Sequence, residues 1–285
     1  MITTLLSAYA FLVGAVIGSF LNVCVSRWPL GLSVVKPRSR CPKCGHGITA
    51  LENIPILSWI VLRARCRGCG EKISAQYPLV ELATGILWAL SFSHYGTTFT
   101  ALRVAVFATV MLGIALTDAE HMLIPDGFTV FGLIWVLLSV FVAAFLGDQG
   151  PFAAPWEAIL GVFVGAGVIA VIGWLGEVIL NRPAMGFGDT TMMAVVGGAV
   201  GPARALLTVF IAAVIAPVVL IGLVYPLTRR SSAEEAGQYN LPLLGSFGWK
   251  GRELPFGVFL APSAVVALVY GDRLIEWYLR ISGLK

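Results

Sequence analysis

Long uninterrupted apolar runs dominate the chain, and they restrict its fold more than any other feature. Windows of membrane-spanning length fall at about 4–26, 78–94, 100–117, 127–147, 157–180, 190–200, 203–227 and 255–271. A helix of roughly 20 apolar residues crosses the hydrocarbon of a bilayer. The expected fold is therefore an all-α polytopic membrane protein of about eight transmembrane helices, with residues 185–202 the least defined part. Composition agrees: 58% of residues are hydrophobic and 12% charged, and the charged share is about half that of soluble domains. One soluble core could not hide that much apolar surface, so membrane lipid is the expected surrounding. The net charge of +4 includes no lysine/arginine run, which argues against a nucleic-acid partner. The first apolar stretch has no basic residue ahead of it and meets its first at Arg27. A cleaved secretory signal has the opposite layout, so this stretch reads as a retained helix.

A polar segment of different character interrupts the apolar pattern. The sequence divides into a first transmembrane helix (1–27), an insert (28–76) and a transmembrane core (77–285). Nine of the 19 basic residues fall in 27–76, opposed only by Glu52 and Glu71. The positive-inside rule makes the insert cytoplasmic and the N-terminus external. Alternation then puts the loops at 118–126, 181–189 and 228–254 inside, in accord with Arg182, Arg229, Arg230, Lys250 and Arg252. The 148–156 loop, with Asp148 and no Lys or Arg, falls outside as the rule requires. Arg273, Arg280 and Lys285 run against it.

Four of the five cysteines occur in CPKCG (41–45) and CRGCG (66–70), two Cys-x2-Cys pairs with 21 residues between them. Each pair and its following glycine form a tight turn that aims two thiolates at one point. Two such turns give the tetrahedral four-sulfur geometry that Zn2+ prefers, so Cys41, Cys44, Cys66 and Cys69 are the expected metal ligands. The alternative, two disulfides, is disfavoured in a reducing cytoplasmic loop. Four thiolates leave no open position for water, so the zinc is expected to be structural, stapling a loop with few large apolar residues. His46 beside the site reads as a surface residue, and Cys24 in the first helix as a small packing residue.

Two acids stand at helix ends on the same expected face: Asp118 in IALTDAEHMLIPD and Asp189 in MGFGDT. Each has a plain alternative, Asp118 as a loop residue and Asp189 as a helix N-cap. Together in a partly dry site, two carboxylates share a proton, one acting as base toward water and the other as acid toward a carbonyl. That is the chemistry of aspartic peptide hydrolysis. Gly186 and Gly188 support it by permitting a non-helical backbone and the close approach of another chain. The LPFG stretch (254–257) is a place where an unwound substrate strand could lie. Asp126 reads as a helix cap, Glu120 and His121 as loop residues, and Arg103 and Arg204 as interfacial. Glu81 and Glu177 read as structural or substrate-orienting, with Arg182 a partner for Glu177. No His-x3-His and no Ser/His/Asp arrangement is present.

In order and spacing, GSFLNVCVSRWP (18–29), CPKC, CRGC, ENIPILSW (52–59), YPLVEL (77–82), DAEHMLIPD (118–126), MGFGD (185–189) and LPFGVFLA (254–261) resemble the type IV prepilin peptidases. The resemblance implies a bifunctional enzyme of the bacterial inner membrane. It would cleave the leader of a prepilin or pseudopilin on the cytoplasmic side, then methylate the new N-terminus using S-adenosylmethionine. It puts the catalytic pair on Asp118 and Asp189, the zinc set on the four cysteines, and a likeness to presenilin-type GxGD proteases on 186–189. Thr191 stands where the family often has lysine, and Ala64, in LRARC, where it often has glycine. No residues for the methyl donor are identified. Two other classes fit the same acids and insert: a transporter or channel with an acidic ion path, and a non-catalytic scaffold docking through its zinc module.

Overall fold

The computed structural model describes residues 2–181, 185–220, 222 and 255–283. Among them are nine α-helices: α1 (Ile2–Arg27), α2 (Leu57–Val61), α3 (Gln76–Tyr95), α4 (Phe99–His121), α5 (Asp126–Leu146), α6 (Pro155–Leu180), α7 (Phe187–Val200), α8 (Pro202–Val219) and α9 (Gly257–Ile281). Each of the eight expected spans meets one helix, and α2 is a short addition inside the insert. Six are long and apolar enough to cross a membrane: α1, α4, α5, α6, α8 and α9. The α7 helix has 14 residues, a length of about 21 Å against a hydrocarbon thickness of about 30 Å. The last expected span stops at 271, whereas α9 runs to Ile281 and carries Arg273, Glu276 and Arg280 beyond it. Loop 228–254 with its basic residues, Arg182 as a partner for Glu177, and Leu254 of LPFG lie outside the described residues.

Local chemistry sets several helix ends. Gly147, at φ 66°, closes α5 in the left-handed conformation that glycine adopts cheaply. Pro155 and Pro202 open α6 and α8, where a missing N–H costs nothing. Pro125, at φ −67° and ψ 139°, is the N-cap of α5, so Asp126 is the first helical residue and makes no side-chain cap bond. This corrects the reading of Asp126 as a cap: proline's fixed φ already takes that position. Glu120 and His121, expected in a loop, form the last turn of α4.

The chain forms two compact units, residues 1–113 and 114–285, with the boundary inside α4. In the first unit α1 packs closely on α3. A Cβ on Gly18 would lie 2.8 Å from the Glu81 Cα, and one on Gly14 2.7 Å from the Trp88 Cβ. The Asn22 amide donates to the Tyr77 carbonyl at 3.1 Å, and Trp88 Nε1 donates to Thr109 Oγ1 at 3.0 Å. Cys24 is 2% exposed, a packing residue as expected.

The insert carries backbone that its residues do not favour. Ile56 sits at φ 63° and ψ −51°, while Leu57 N–H donates to the Pro55 carbonyl at 2.6 Å. This is a classic γ-turn, which costs about 1–3 kcal/mol at a β-branched residue. The buried Glu81 carboxylate holds it by accepting the Ile56 N–H at 2.7 Å. Ala64 is left-handed at φ 56°, a conformation that costs an L-residue about 1–2 kcal/mol. Ala64→Gly is therefore expected to stabilise the insert by about 0.5–1 kcal/mol after glycine's extra unfolded-state entropy. The Ile73 N–H, which donates to the Ala64 carbonyl at 2.7 Å, would then exchange about two- to fivefold more slowly in hydrogen-exchange measurements.

In the second unit α7 is the central helix, with Met192, Met193, Val195, Val196 and Ala199 each at 0% exposure. Helices α5, α6, α8 and α9 pack around it. Arg204, expected at an interface, is instead a buried clamp. Its guanidinium donates to the Val200 carbonyl at 2.7 Å, the Pro151 carbonyl at 2.6 Å and Asp272 at 3.3 Å. Arg103, in the first unit, is also buried, at 2% exposure.

Candidate functional site

The last turn of α4 places Asp118, which is 6% exposed. The N-terminus of α9 meets it: Val258 N–H donates to Asp118 Oδ2 at 3.2 Å, and the Gly257 N–H is a second backbone donor to the same carboxylate. A carboxylate at a helix N-terminus satisfies donors that the helix itself leaves open. A Cβ on Gly257 would lie 2.8 Å from Asp118 Oδ2, so glycine is what allows this approach. Gly257 was visible in the sequence, but as a permissive residue for a substrate strand. Its close contact with an aspartate 139 positions upstream has no local signature.

Asp189 stands in the first turn of α7, three residues after the N-cap Gly186. The two ends of that turn are tied together: Asp189 N–H donates to the Gly186 carbonyl at 3.2 Å, and the Gly186 N–H approaches the Asp189 carboxylate. Asp189 is thus not itself the cap. Gly186 has ordinary extended backbone, φ −77° and ψ 151°. Gly188 is helical, and a Cβ there would lie 2.9 Å from the Ile124 Cβ. Close packing on the α4–α5 connection, rather than unusual dihedrals, is the requirement at 188. The Thr191 hydroxyl turns back on its own helix to the Gly188 carbonyl at 3.0 Å.

Asp118 and Asp189 line one cleft of about 330 Å3, together with Asp126, Gly186, Gly188 and Ile124. His121 is 3.7 Å from Glu120. Glu177 is exposed on α6.

The four cysteines converge in the insert. Their sulfurs lie within 4.8 Å of one another, with Cys41–Cys69 at 3.9 Å and Cys44–Cys66 at 4.0 Å. A tetrahedron with metal–sulfur bonds of about 2.3 Å needs sulfurs about 3.8 Å apart, whereas a disulfide needs about 2.05 Å. Two matching turns build the cluster. Gly45 N–H donates to the Cys41 carbonyl and Gly70 N–H to the Cys66 carbonyl, with both glycines at φ 72°. The Cys44 and Lys43 N–H groups draw the Cys41 thiol down to about 6. Cys69 is pushed up to about 12 despite the Glu71 N–H, because Cys44, Cys66 and Cys41 crowd it. Four adjacent thiolates thus need a cation among them, and the geometry fits Zn2+.

Glu52 links the two turns. It accepts from Thr49 N–H at 3.0 Å, lies 3.2 Å from His46 Nε2 and 3.6 Å from Arg67. The Thr49 N–H, above all, holds its carboxyl below the usual range. His46, read from the sequence as a surface residue, is half-exposed and in contact with Glu52. Lys43 and Glu71 pair across the turns at 2.6 Å.

A second cavity, of about 510 Å3, lies in the first unit between α1 and residues 34–55 of the insert. Its size falls in the range of small-molecule sites. Among the described residues there is no strand, hence no Gly-rich strand–turn–helix for S-adenosylmethionine. Arg27, Arg38 and Phe20 in this cavity offer a carboxylate partner and a flat apolar face for such a molecule.

A polytopic helical membrane fold carries two acids in one cleft and a four-sulfur cluster in a separate insert. Sequence comparison agrees with that combination. The profile of the bacterial peptidase A24 N-terminal domain matches residues 12–95, and that of the type IV leader peptidase family matches residues 105–221. Curated proteins named prepilin leader peptidase/N-methyltransferase are similar over most of the chain. The one from Stutzerimonas stutzeri is 31% identical across 96% of this chain and 94% of its own length. That from Pseudomonas aeruginosa is 31% identical across 96% and 93%. The one from Myxococcus xanthus is 40% identical across 68% of this chain, a match spanning 56% of its own length. The chain belongs to the type IV leader peptidase family. No solved structure gave a significant match.

Proposed function

We propose that this chain is a prepilin leader peptidase/N-methyltransferase of the bacterial inner membrane. It removes the leader of a prepilin or pseudopilin at the cytoplasmic face and methylates the new N-terminal amine. The carrying observation is the convergence of Asp118 and Asp189 on one cleft, with the α9 N-terminus fixing the Asp118 carboxylate. One carboxylate takes a proton from the attacking water while the other gives one to the scissile carbonyl. The pair titrates as a unit. Gly188 and Gly257 keep the walls close enough to hold both acids in place. Gly186 precedes α7 in extended backbone and leaves room for substrate beside Asp189. S-adenosylmethionine, when bound, supplies the methyl group.

Within this reading, residues 1–27 are the first transmembrane helix, 28–76 the zinc-binding insert and 77–285 the peptidase core. The family match and the cleft give no support to the transporter alternative. Co-expression with a candidate prepilin, followed by mass analysis of the pilin N-terminus, tests both activities. Expected are loss of the leader and gain of one methyl group; an intact leader would overturn the peptidase reading.

Cys41, Cys44, Cys66 and Cys69 would hold one Zn2+, which contributes folding free energy on the order of 10–16 kcal/mol in small zinc modules. Elemental analysis is expected to give about one zinc per chain, and Cys66→Ser to bring it near zero. Chelation should open the insert to trypsin at its basic residues. An insert equally resistant with and without metal would show that zinc does not hold it.

A further inference from the structure

We propose that the cavity between the C-terminal half of α1 and residues 34–55 is the binding site of the methyl donor, with Arg27 and Arg38 holding its carboxylate and Phe20 stacking on its base. This rests on the methyltransferase half of the function proposed above. The cavity belongs wholly to the first unit and holds about 510 Å3. Two guanidiniums line it and no carboxylate does, which fits the carboxylate of an amino-acid moiety. Arg27 is already oriented, because its Nη1 donates to the Ser33 carbonyl at 2.9 Å. Phe20 is 53% exposed and offers one ring face, the usual platform for a nucleobase. The Asn53 amide lines the same space with both a donor and an acceptor.

The far wall answers the cationic end of the donor. Ser19 lines the cavity eight residues before Arg27 on α1, about 12 Å along the helix axis. Its side chain hydrogen-bonds Glu81, whose carboxylate thus lies directly behind that wall. Arg27 therefore stands about 12 Å along α1 from Ser19 and the acid behind it, matching a molecule with a carboxylate at one end of its amino-acid chain and positive sulfur further along. Glu81 also fixes the wall itself: it holds Ile56 N–H at 2.7 Å in the γ-turn that follows the lining residue Pro55. Strained backbone held by a buried acid is the kind of feature that marks functional sites.

The test is direct binding to the full-length protein in detergent, by calorimetry, with zinc content as the check that each variant is folded. Arg27→Gln and Arg38→Gln are each expected to weaken S-adenosylmethionine binding about tenfold or more. Decarboxylated S-adenosylmethionine should bind wild type weakly and lose nothing further in either variant. Glu81→Gln keeps an acceptor for Ile56 N–H, and should remove any preference for S-adenosylmethionine over uncharged-sulfur S-adenosylhomocysteine. If wild type binds the donor but both arginine variants bind it equally well, the cavity assignment is wrong and the methyltransferase reading stands. If folded wild type binds no donor while still cleaving a prepilin, the methyltransferase reading falls and takes this site with it.

Discussion

Asp118→Asn and Asp189→Asn are each expected to lower leader removal by at least about 10³-fold, read by mass analysis of a co-expressed prepilin. Positioned acid–base groups typically contribute 10²- to 10⁴-fold each. Asparagine keeps the size of the side chain, and at 118 its amide oxygen can still accept the Val258 N–H that the aspartate accepts at 3.2 Å. Amounts of protein in the membrane and zinc content should therefore stay at wild-type levels, which separates lost chemistry from lost folding. Under the proposed pairing, the double variant should be no worse than either single variant. Asp126 lines the same cleft but starts α5 without a cap bond. Asp126→Asn is expected to cost about tenfold or less, in line with a group that shapes the cleft without exchanging the proton. Full processing by Asp118→Asn or by Asp189→Asn would end the assignment of the pair.

The elements legible in the sequence were those specified by local pattern. Apolar runs gave the six helices long enough to span because burial in lipid needs only length and hydropathy. The cysteine turns were legible because Cys-x2-Cys-Gly encodes its own geometry, with glycine at φ 72° both times. The two aspartates could be selected because each ends or begins an apolar run. Contacts between distant residues were not legible. Arg204 looked interfacial because nothing near it in sequence reveals partners at Pro151 and Asp272, 53 and 68 positions away. Glu81 read as structural or substrate-orienting, and nothing near it in sequence revealed its bond to the Ile56 N–H behind the wall of a cavity. Asp126 was misread because Asp before an apolar run usually caps a helix, and here proline had taken that place. The short α7 was the least defined span for a related reason: with residues 192–200 packed among other helices, it need not cross the bilayer alone, so its sequence carries only a 14-residue signal.

Gly161→Val and Gly197→Val are expected to prevent the second unit from folding, whereas Gly167→Ala on the same helix as Gly161 should be neutral. The glycine-rich stretches of α6 and α7 look interchangeable in the sequence, and packing separates them. A Cβ on Gly161 would fall on the Gly197 carbonyl, one on Gly197 on the Gly161 carbonyl, and one on Gly165 on the Met193 carbonyl. The clashes are with backbone, which cannot swing aside as a side chain can, so α6 and α7 would have to separate along their length. That separation would uncover α7 side chains that are now fully buried, Met192, Met193, Val195 and Val196. The expected cost exceeds about 4–5 kcal/mol per substitution, a large share of the stability of a domain of this size. Gly167 has nothing within 4 Å of its missing Cβ, so alanine there should cost nothing and add up to about 1 kcal/mol in helix propensity. Detergent-solubilised yield and thermal unfolding measure all three. The same separation would move Asp189, in the first turn of α7, away from Asp118, so milder Gly161→Ala or Gly197→Ala protein that does accumulate should show a loss of cleavage with zinc retained. Wild-type yield and cleavage from both valine variants would show that the α6–α7 approach is not what holds the second acid in place.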